Sequence, residues 1–189
     1  MLKIALTGNI ASGKSTVQKI LEEKGYKVLD TDKVGHKLLE NLDKIKVAFR
    51  DFDVFCDEKI SREKLGKLVF STPELKQKLE KIMHPAIKEE ILKFFEQNKS
   101  ETLVFVGIPL LFESNMSNLF DKSLLIYTKD TLREERLISR NHYSGDYAKL
   151  RMKSQMSQDK KLKLCDFVIY NNGTLSDLKS AVNEFLLKI

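Results

Sequence analysis

The sequence predicts an α/β fold of three layers, α/β/α, in which a five-stranded parallel sheet lies between helices. Five short apolar runs separated by longer amphipathic segments predict this fold, because strands covered on both faces show little polar alternation. The second observation is a glycine-rich turn between the first apolar run and the first amphipathic segment. The predicted strands are 3–8, 26–30, 102–108, 123–128 and 166–171.

Size and composition indicate a globular protein of one domain, without a membrane span or an export signal. The chain has 189 residues, 42% of them hydrophobic, which fits a single domain over 1–189. Its apolar runs are far shorter than the ~20 residues of a membrane span, so we expect no membrane partner. The first run is too short for a signal-peptide core and precedes no cleavage site, so we expect a cytoplasmic location. Cys56 and Cys165 lack metal-ligand spacing and are expected to be reduced and structural.

The segment after the glycine-rich turn is predicted to be a helix over 14–24. Val17, Ile20 and Leu21 fall on one face of it, and Gly25 is a stop signal. The second predicted strand follows directly, which completes the strand, helix, strand unit of a parallel sheet. An amphipathic segment over 176–188 is predicted to close the chain. We assign to the core the ranges 1–32, 101–130 and 165–189.

Two long excursions leave this core. The first, about 33–100, contains helical segments that open at Ser61 and Pro73, and its length predicts an inserted helical region that binds a substrate. The second, about 131–164, is predicted as two helical segments joined by a turn at Gly145. We expect it to be a helical lid, because its arginines carry planar guanidinium groups that match phosphate oxygens. These arginines are Arg133, Arg136, Arg140 and Arg151.

The glycine-rich turn "GNIASGKS" matches the phosphate-binding pattern G-x-x-x-x-G-K-[ST], between a predicted strand and a predicted helix as the pattern requires. Gly8 and Gly13 allow the backbone to wrap so that its N–H groups converge on phosphate oxygens. Lys14 would bridge the β- and γ-phosphates, and Ser15 would offer its hydroxyl to Mg²⁺. The pattern indicates a P-loop NTPase-type fold that binds a nucleoside triphosphate with Mg²⁺. The predicted cofactor residues in the loop are Gly8, Ala11, Ser12, Gly13, Lys14, Ser15 and Thr16.

A phosphate-binding loop occurs in kinases, GTPases and motor ATPases, and it also resembles a glycine turn that only caps a helix. A GTPase should carry the guanine-binding pattern N-K-x-D, which the sequence lacks. A motor protein usually places an acidic residue at the end of the third strand, where this chain has Gly107. These observations favour a kinase.

Asp30 and Asp32 stand where the second predicted strand ends. In an open parallel sheet, ligands bind outside the carboxyl ends of the strands. Transfer of a phosphoryl group to a hydroxyl needs a carboxylate near the attacking oxygen, and Mg²⁺ needs oxygen ligands. Asp32 is the candidate for both tasks. The alternative is that both aspartates only cap the following helix.

Taken together, the motifs of this chain resemble those of the dephospho-CoA kinase family. Members of that family transfer the γ-phosphate of ATP to the ribose 3′-hydroxyl of dephospho-CoA, the last step of coenzyme A synthesis. The resemblance covers nearly the whole chain and rests on segments in a fixed order: "TGNIASGKST", "DTD", "SREKLGKLVF", "IMHPAI", "IPLLFE", "RLISR", "RMKSQ" and "CDFVIYNNG".

The resemblance implies roles for residues outside the loop. It makes Asp32 the catalytic base and a residue of the metal site, and Lys14 a catalytic residue. It makes Arg140 the lid residue that reaches the transferred phosphate, with Arg136 one turn away. The alternative is that Arg140 only forms part of a solvent-exposed helix face. Asn172, in the loop after the last strand, would lie beside the adenine of ATP. The acceptor region would contribute Arg62, His84 and Leu111.

Some of these assignments have alternatives. A purely structural role is the alternative for Arg62, and His84, just before Pro85, is equally interpreted as a histidine at a helix end. Glu113 is interpreted as a surface acid. Another P-loop nucleoside or nucleotide kinase is the rival enzyme, and the net charge of +6 also fits a nucleic-acid-binding module. We expect dephospho-CoA as the partner, no nucleic acid, and a monomer or weak homo-oligomer.

Overall fold

The structure is a computed structural model, which describes residues 1–56 and 59–189. Asp57 and Glu58 of the predicted insertion lie outside the described residues. The described chain forms two compact units. The first comprises Met1–Asp30 and Gln97–Ile189, and the second comprises Thr31–Glu96.

The described residues contain nine α-helices and seven β-strands. In chain order they are β1 (Leu2–Thr7), α1 (Lys14–Glu23), β2 (Lys27–Asp30), α2 (Thr31–Asn41), α3 (Asp43–Ala48), β3 (Phe55–Cys56), β4 (Lys59–Ile60), α4 (Arg62–Ser71), α5 (Pro73–Gln97), β5 (Leu103–Gly107), β6 (Lys122–Tyr127), α6 (Asp130–Asn141), α7 (Gly145–Lys153), α8 (Gln158–Leu162), β7 (Phe167–Tyr170) and α9 (Leu175–Leu186). None of the helices in these ranges is both long and apolar enough to cross a bilayer.

The first unit is built on a parallel sheet of five strands in the order β2-β5-β1-β6-β7. Each strand lies within a residue or two of a predicted one, so the predicted sheet is confirmed. Consecutive residues of the central strands are fully buried, as in Ile4–Leu6 of β1, which shows that both faces of the sheet are covered. Gly107, the last residue of β5, pairs with Leu6 on one side and Asp30 on the other. The carboxyl ends of β1, β2 and β5 therefore share one edge.

The apolar core of the first unit joins the sheet to α1 and α9. The predicted face of α1, formed by Val17, Ile20 and Leu21, is buried in it. Phe105 of β5 packs edge-on against Phe185 of α9, with ring centroids 6.5 Å apart. The N-terminus of α9 is fixed by a capping box between Thr174 and Asp177.

The second unit is mainly helical, and two of its helices begin where the sequence predicts. The hydroxyl of Ser61 accepts the N–H of Lys64 at the start of α4, and Pro73 is the first residue of α5. The sequence does not predict the six-residue helix α3 or the antiparallel pair of two-residue strands β3 and β4, because elements this short carry no clear periodic signal. A buried apolar cluster holds the unit together, consisting of Ile45, Phe49, Val54, Ile60, Leu65 and Met83.

Pro85 lies inside α5, twelve positions after its first residue. The interpretation of His84 as a histidine at a helix end is therefore wrong. A proline inside a helix removes one backbone hydrogen bond. Because α5 is 25 residues long and buries Met83, Ile91 and Phe95, tertiary packing retains the helix on both sides of the proline.

The arginine-rich segment contains three helices rather than the two predicted. Helices α6 and α7 pack against each other, and Ser144 caps α7 by accepting the N–H of Tyr147. The additional helix, α8, begins after Ser157, whose hydroxyl accepts the N–H of Lys160, and it packs against β6. A serine cap was the available signal for this short helix.

Candidate active site

The phosphate-binding loop runs from Gly8 to Gly13, between β1 and α1. Gly13 has φ +92°, a left-handed conformation that side chains disfavour, and Ala11 adopts φ +61°. A Cβ atom at Gly8 would lie 2.5 Å from the hydroxyl of Ser12, and one at Gly13 would collide with the side-chain amide of Asn171. Both glycines of the motif are thus required by the geometry of the loop.

Three consecutive carbonyl groups of the loop face protein partners. The oxygen of Ile10 accepts from Arg133 Nε at 2.9 Å, and that of Ala11 accepts from Arg136 Nη1 at 3.4 Å. The oxygen of Ser12 accepts from Thr128 Oγ1 and from Asn171 Nδ2, both at 2.8 Å.

This arrangement has a direct electrostatic consequence. In a trans peptide, the C=O of one residue and the N–H of the next point in opposite directions. The outward carbonyls of Ile10 and Ser12 therefore turn the N–H groups of Ala11 and Gly13 toward the inside of the loop. Together with the N-terminus of α1, these N–H groups form a concave site suited to an anion.

The side chains of the motif lie where a polyphosphate could use them. Lys14 is buried, and its Nζ atom donates to Gln18 Oε1 at 3.4 Å. Ser15 is exposed at the start of α1. The hydroxyl of Ser12 is buried and has no hydrogen-bond partner within the described structure. Such an unpartnered polar atom inside the loop fits a site that a phosphate or its water completes.

The two aspartates at the second strand fall in different units. Asp30 is the last residue of β2 and lies beside Gly107 at the carboxyl edge of the sheet. Asp32 belongs to the second unit, where it is exposed in the first turn of α2. A carboxylate in that turn interacts favourably with the helix N-terminus, which is the alternative to a catalytic role.

The arginines of α6 do not act as one group. Arg133 is only 2% exposed: it donates to the Ile10 carbonyl and, at 2.7 Å, to Asp130 Oδ1. Burial lowers the pKa of Arg133, while the neighbouring charge of Asp130 opposes this effect. The sequence groups Arg133 with the lid arginines that match phosphate oxygens, but its guanidinium donates to the loop backbone and to Asp130 instead.

The other two arginines differ in exposure. Arg136 is half-buried and donates through Nη2 to the carbonyl of Asn171 at 3.2 Å. Arg140 is exposed near the end of α6 and donates through Nε to Asn141 Oδ1 at 2.9 Å. Glu134, on the same helix, places its Oε1 atom 3.7 Å from the Nζ atom of Lys149 in α7.

The loop after β7 lies beside the phosphate-binding loop. Asn171 is buried between them, as its bond to Ser12 shows. Asn172 is exposed, and its Oδ1 atom accepts the N–H of Lys129 at 2.8 Å. This bond fixes the segment that follows β6 against the segment that follows β7.

Sequence reasoning missed a second set of contacts to the loop. The N–H of Ile10 donates to Gln155 Oε1, and Asn9 Nδ2 donates to the carbonyl of Met156, both at 2.8 Å. The segment between α7 and α8 thus holds the loop from outside. The motif "RMKSQ", which contains Gln155, carried the only signal for it in the sequence.

An ion pair between a buried lysine and a glutamate at the surface extends this network. Lys161 of α8 is 0% exposed, and its Nζ atom lies 3.0 Å from Glu113 Oε1 and donates to the Pro109 carbonyl at 2.6 Å. The same Glu113 oxygen accepts the N–H of Met156 at 3.0 Å. Burial lowers the pKa of Lys161, and the charge of Glu113 opposes the shift. Glu113 lies at the surface as interpreted, but its carboxylate is also the counter-charge of a buried lysine, a role that the sequence did not indicate.

The residues predicted to bind the acceptor lie in both units. Arg62 is exposed as the first residue of α4, and His84 is half-buried within α5. Leu111 belongs to the first unit and is fully buried. Within the described ranges, no group of three His, Cys, Asp or Glu side chains is placed to hold a metal ion.

Comparison with known proteins decides the family. The family model for dephospho-CoA kinase matches residues 2–177. The chain belongs to the dephospho-CoA kinase family. Membership makes it an ATP-dependent kinase. The dephospho-CoA kinase of Oceanobacillus iheyensis is 39% identical over 193 residues, which cover 99% of this chain and 97% of that protein.

Solved structures agree with this assignment to the dephospho-CoA kinase family. The dephospho-CoA kinase from Campylobacter jejuni matches with a TM-score of 0.75 and 34% identity, over 98% of this chain and 96% of that one. TT1252 from Thermus thermophilus matches with a TM-score of 0.88 and 33% identity, over 100% and 97%. The predicted α/β fold is confirmed, and the alternatives of a different nucleotide kinase or a nucleic-acid-binding module are not favoured.

Proposed function

We propose that the chain transfers the γ-phosphate of ATP to the ribose 3′-hydroxyl of dephospho-CoA and releases coenzyme A and ADP. The observation that carries this proposal is the phosphate-binding loop, with outward carbonyls and inward N–H groups, in a chain matched to the family over 2–177. The proposal includes a cytoplasmic location, no nucleic-acid partner, and a monomer or weak homo-oligomer.

The loop would hold the triphosphate of ATP. The N–H groups of Ala11 and Gly13 would donate to phosphate oxygens, as would the N-terminus of α1. The Nζ atom of Lys14, which donates one hydrogen bond to Gln18, would direct its remaining N–H groups to the β- and γ-phosphates. Thr16, half-buried in the first turn of α1, would reach the α-phosphate.

Mg²⁺ fits the same site, because it is usually bound by a few protein oxygens together with substrate phosphates and water. The exposed hydroxyl of Ser15 would be its direct protein ligand, and Asp32 would act through water. When bound, the ion would neutralise charge that develops on the phosphate oxygens.

Asp32 would be the catalytic base. It would accept the proton of the ribose hydroxyl and orient that oxygen toward the phosphorus atom. Two arguments support this role: Asp32 follows the carboxyl end of β2 by two residues, and it stands in the "DTD" motif of the family resemblance. Lys14 would stabilise the negative charge of the transferred phosphoryl group.

Arg140 would be the lid residue that reaches the transferred phosphate. Unlike Arg133, it is exposed, so its guanidinium can rotate toward a ligand at little cost. Arg136 would add a second donor, and Asn172 would lie along the adenine. Closure of the lid, about 131–164, would exclude water and prevent hydrolysis of ATP.

The helical region of about 33–100 would hold dephospho-CoA. Arg62, exposed at the start of α4, would pair with its pyrophosphate. His84 would contribute from within α5, and Leu111 from the segment after β5.

Mass spectrometry of the acceptor tests this proposal. Wild-type protein with Mg·ATP should add one phosphate to dephospho-CoA and none to a panel of nucleoside monophosphates. Lys14→Ala should abolish the gain of mass, while Lys24→Ala, a matched change just after the same helix, should not. Phosphorylation of a nucleoside monophosphate, or rapid loss of ATP without acceptor, would refute the proposal.

A further inference from the structure

Gln18 lies on α1, four positions after Lys14, and is only 4% exposed. Its Oε1 atom accepts the Nζ hydrogen of Lys14 at 3.4 Å. Residues four apart on a helix share one face, so Gln18 and Lys14 project in the same direction. A lysine side chain has four rotatable bonds, and a neutral amide beside its ammonium group limits where that charge can lie.

The same amide covers the end of the central strand β5. A Cβ atom added to Gly107 would lie 2.7 Å from Gln18 Cδ and 3.3 Å from its Oε1, and would collide with its Nε2. Gly107 pairs with Leu6, just before the phosphate-binding loop, and with Asp30 at the end of β2. The amide of Gln18 therefore occupies the space that a side chain at the carboxyl end of β5 would fill.

One hydrogen-bonding group of this amide is uncommitted. Gln18 Nε2 is buried and has no hydrogen-bond partner within the described structure. Buried donors are nearly always satisfied in folded proteins, and exceptions point to a ligand or water that completes them. This donor lies beside the edge of the sheet where the loop begins.

We propose that Gln18 is a positioning residue for ATP, which supplies from α1 the polar group that the strand end at Gly107 lacks. Its Oε1 orients the ammonium group of Lys14, and its Nε2 donates to an oxygen of the bound nucleotide or of its water. The inference rests on the proposed function, because it assumes that the loop binds ATP.

The dissociation constant of ATP, measured by calorimetry without acceptor, tests this role. Gln18→Met keeps the length of the side chain but removes both polar atoms, and should weaken ATP binding on the order of tenfold. The KM for ATP should rise by a similar factor, with a smaller change in kcat. Gln77→Met, an exposed glutamine of α5, is the matched control and should bind ATP like the wild type.

A relocation of the amide gives a second test. Gln18→Ala should weaken ATP binding as Gln18→Met does. The double variant Gln18→Ala with Gly107→Asn should bind ATP within about threefold of the wild-type affinity. Gly107→Asn alone should be harmful, because its Cβ meets the side chain of Gln18. If Gln18→Met and Gln18→Ala fold poorly, Gln18→Glu serves as the test variant. It keeps the packing of the side chain but replaces the N–H donor by a carboxylate that repels phosphate, so it should also weaken ATP binding.

The outcomes separate this inference from the proposed function. Wild-type affinity for ATP in both Gln18→Met and Gln18→Glu would overturn the inference, as would weaker binding that merely follows a loss of thermal stability. Neither result tests whether dephospho-CoA is the acceptor of the phosphoryl group. Conversely, a wild type that binds ATP but does not phosphorylate dephospho-CoA would refute the proposed function and leave the role of Gln18 intact.

Discussion

Arg133 Nε donates a 2.9 Å hydrogen bond to the carbonyl oxygen of Ile10, across 123 residues of sequence. This bond ties α6 to the tip of the phosphate-binding loop. Arg140, seven residues later in the same helix, is exposed. One helix therefore carries an arginine that shapes the loop and another that is available to a ligand, and substitutions at the two positions should have different effects.

Arg133→Met should destabilise the protein by about 2–3 kcal/mol, because it removes the buried, charged donor of the half-buried Ile10 carbonyl. The loss of the pair with Asp130 should add little, since that carboxylate is 72% exposed. The free energy of unfolding in urea measures the effect. Arg140→Met, the control in the same helix, should change stability by less than about 0.5 kcal/mol. Equal stability of the two variants would contradict the structural role of Arg133.

Arg140→Ala should instead lower kcat, on the order of 10³-fold, because an arginine that contacts the transferred phosphate stabilises the transition state. Steady-state kinetics with ATP and dephospho-CoA measure this effect. Arg50→Ala, an exposed arginine in the second unit, is the control and should leave kcat unchanged. A reduction of less than a few-fold would remove Arg140 from the active site.

Glu113→Ala should cost about 3–5 kcal/mol of stability at pH 7, because it leaves the buried ammonium group of Lys161 without its counter-charge. Replacing both partners, as in Glu113→Leu with Lys161→Met, should cost less than the single change. Urea unfolding of the three proteins distinguishes these cases. A double variant less stable than Glu113→Ala would contradict the argument.

The Glu113→Ala variant should also gain stability as the pH rises. Burial lowers the pKa of Lys161 in the folded protein below its ordinary value of 10.5. Between the folded and unfolded pKa values, the unfolded chain binds more protons, so the free energy of unfolding increases with pH. The stability deficit relative to the wild type should therefore shrink as the pH rises toward 10.5. A deficit independent of pH would show that Lys161 does not lose its proton there.

Cys165 should be unreactive and should limit stability in alkali. Burial raises the pKa of its thiol from 9.0 to about 11, against the effects of Ser123 and Lys161. Between these values the folded protein keeps a proton that the unfolded chain has lost, so stability falls from pH 9 to pH 11. Cys165→Ala should remove that fall.

Alkylation checks the same thiol directly. At pH 8, iodoacetamide should label the exposed Cys56 much faster than Cys165, as measured by mass spectrometry of the peptides. Similar labelling rates at the two cysteines would contradict the burial of Cys165.

The sequence predicts those features that depend on neighbouring residues in the chain. The five strands are visible as unbroken apolar runs, and Gly8 and Gly13 follow from a motif whose glycines the backbone needs. Helix α8 and the pair β3–β4 are too short for periodicity, and Pro85 misleads because proline usually marks a helix boundary.

What the sequence cannot predict is pairing at a distance. Lys161 and Pro109 are 52 residues apart, and nothing in either segment indicates that the lysine is buried against that carbonyl. The same holds for Gln155, whose amide meets the loop across 145 residues. Charged residues such as Arg133 and Lys161 are usually exposed, so their burial follows only from tertiary structure.

The central claim is that the loop holds ATP while Asp32 takes the proton from the attacking ribose hydroxyl. Its most direct test is a single-turnover measurement of phosphate transfer to dephospho-CoA by wild type and Asp32→Asn, at ATP concentrations that saturate both. We predict that Asp32→Asn binds ATP within about threefold of the wild type but transfers phosphate at least on the order of 10²-fold more slowly. Transfer at the wild-type rate by Asp32→Asn would contradict the account.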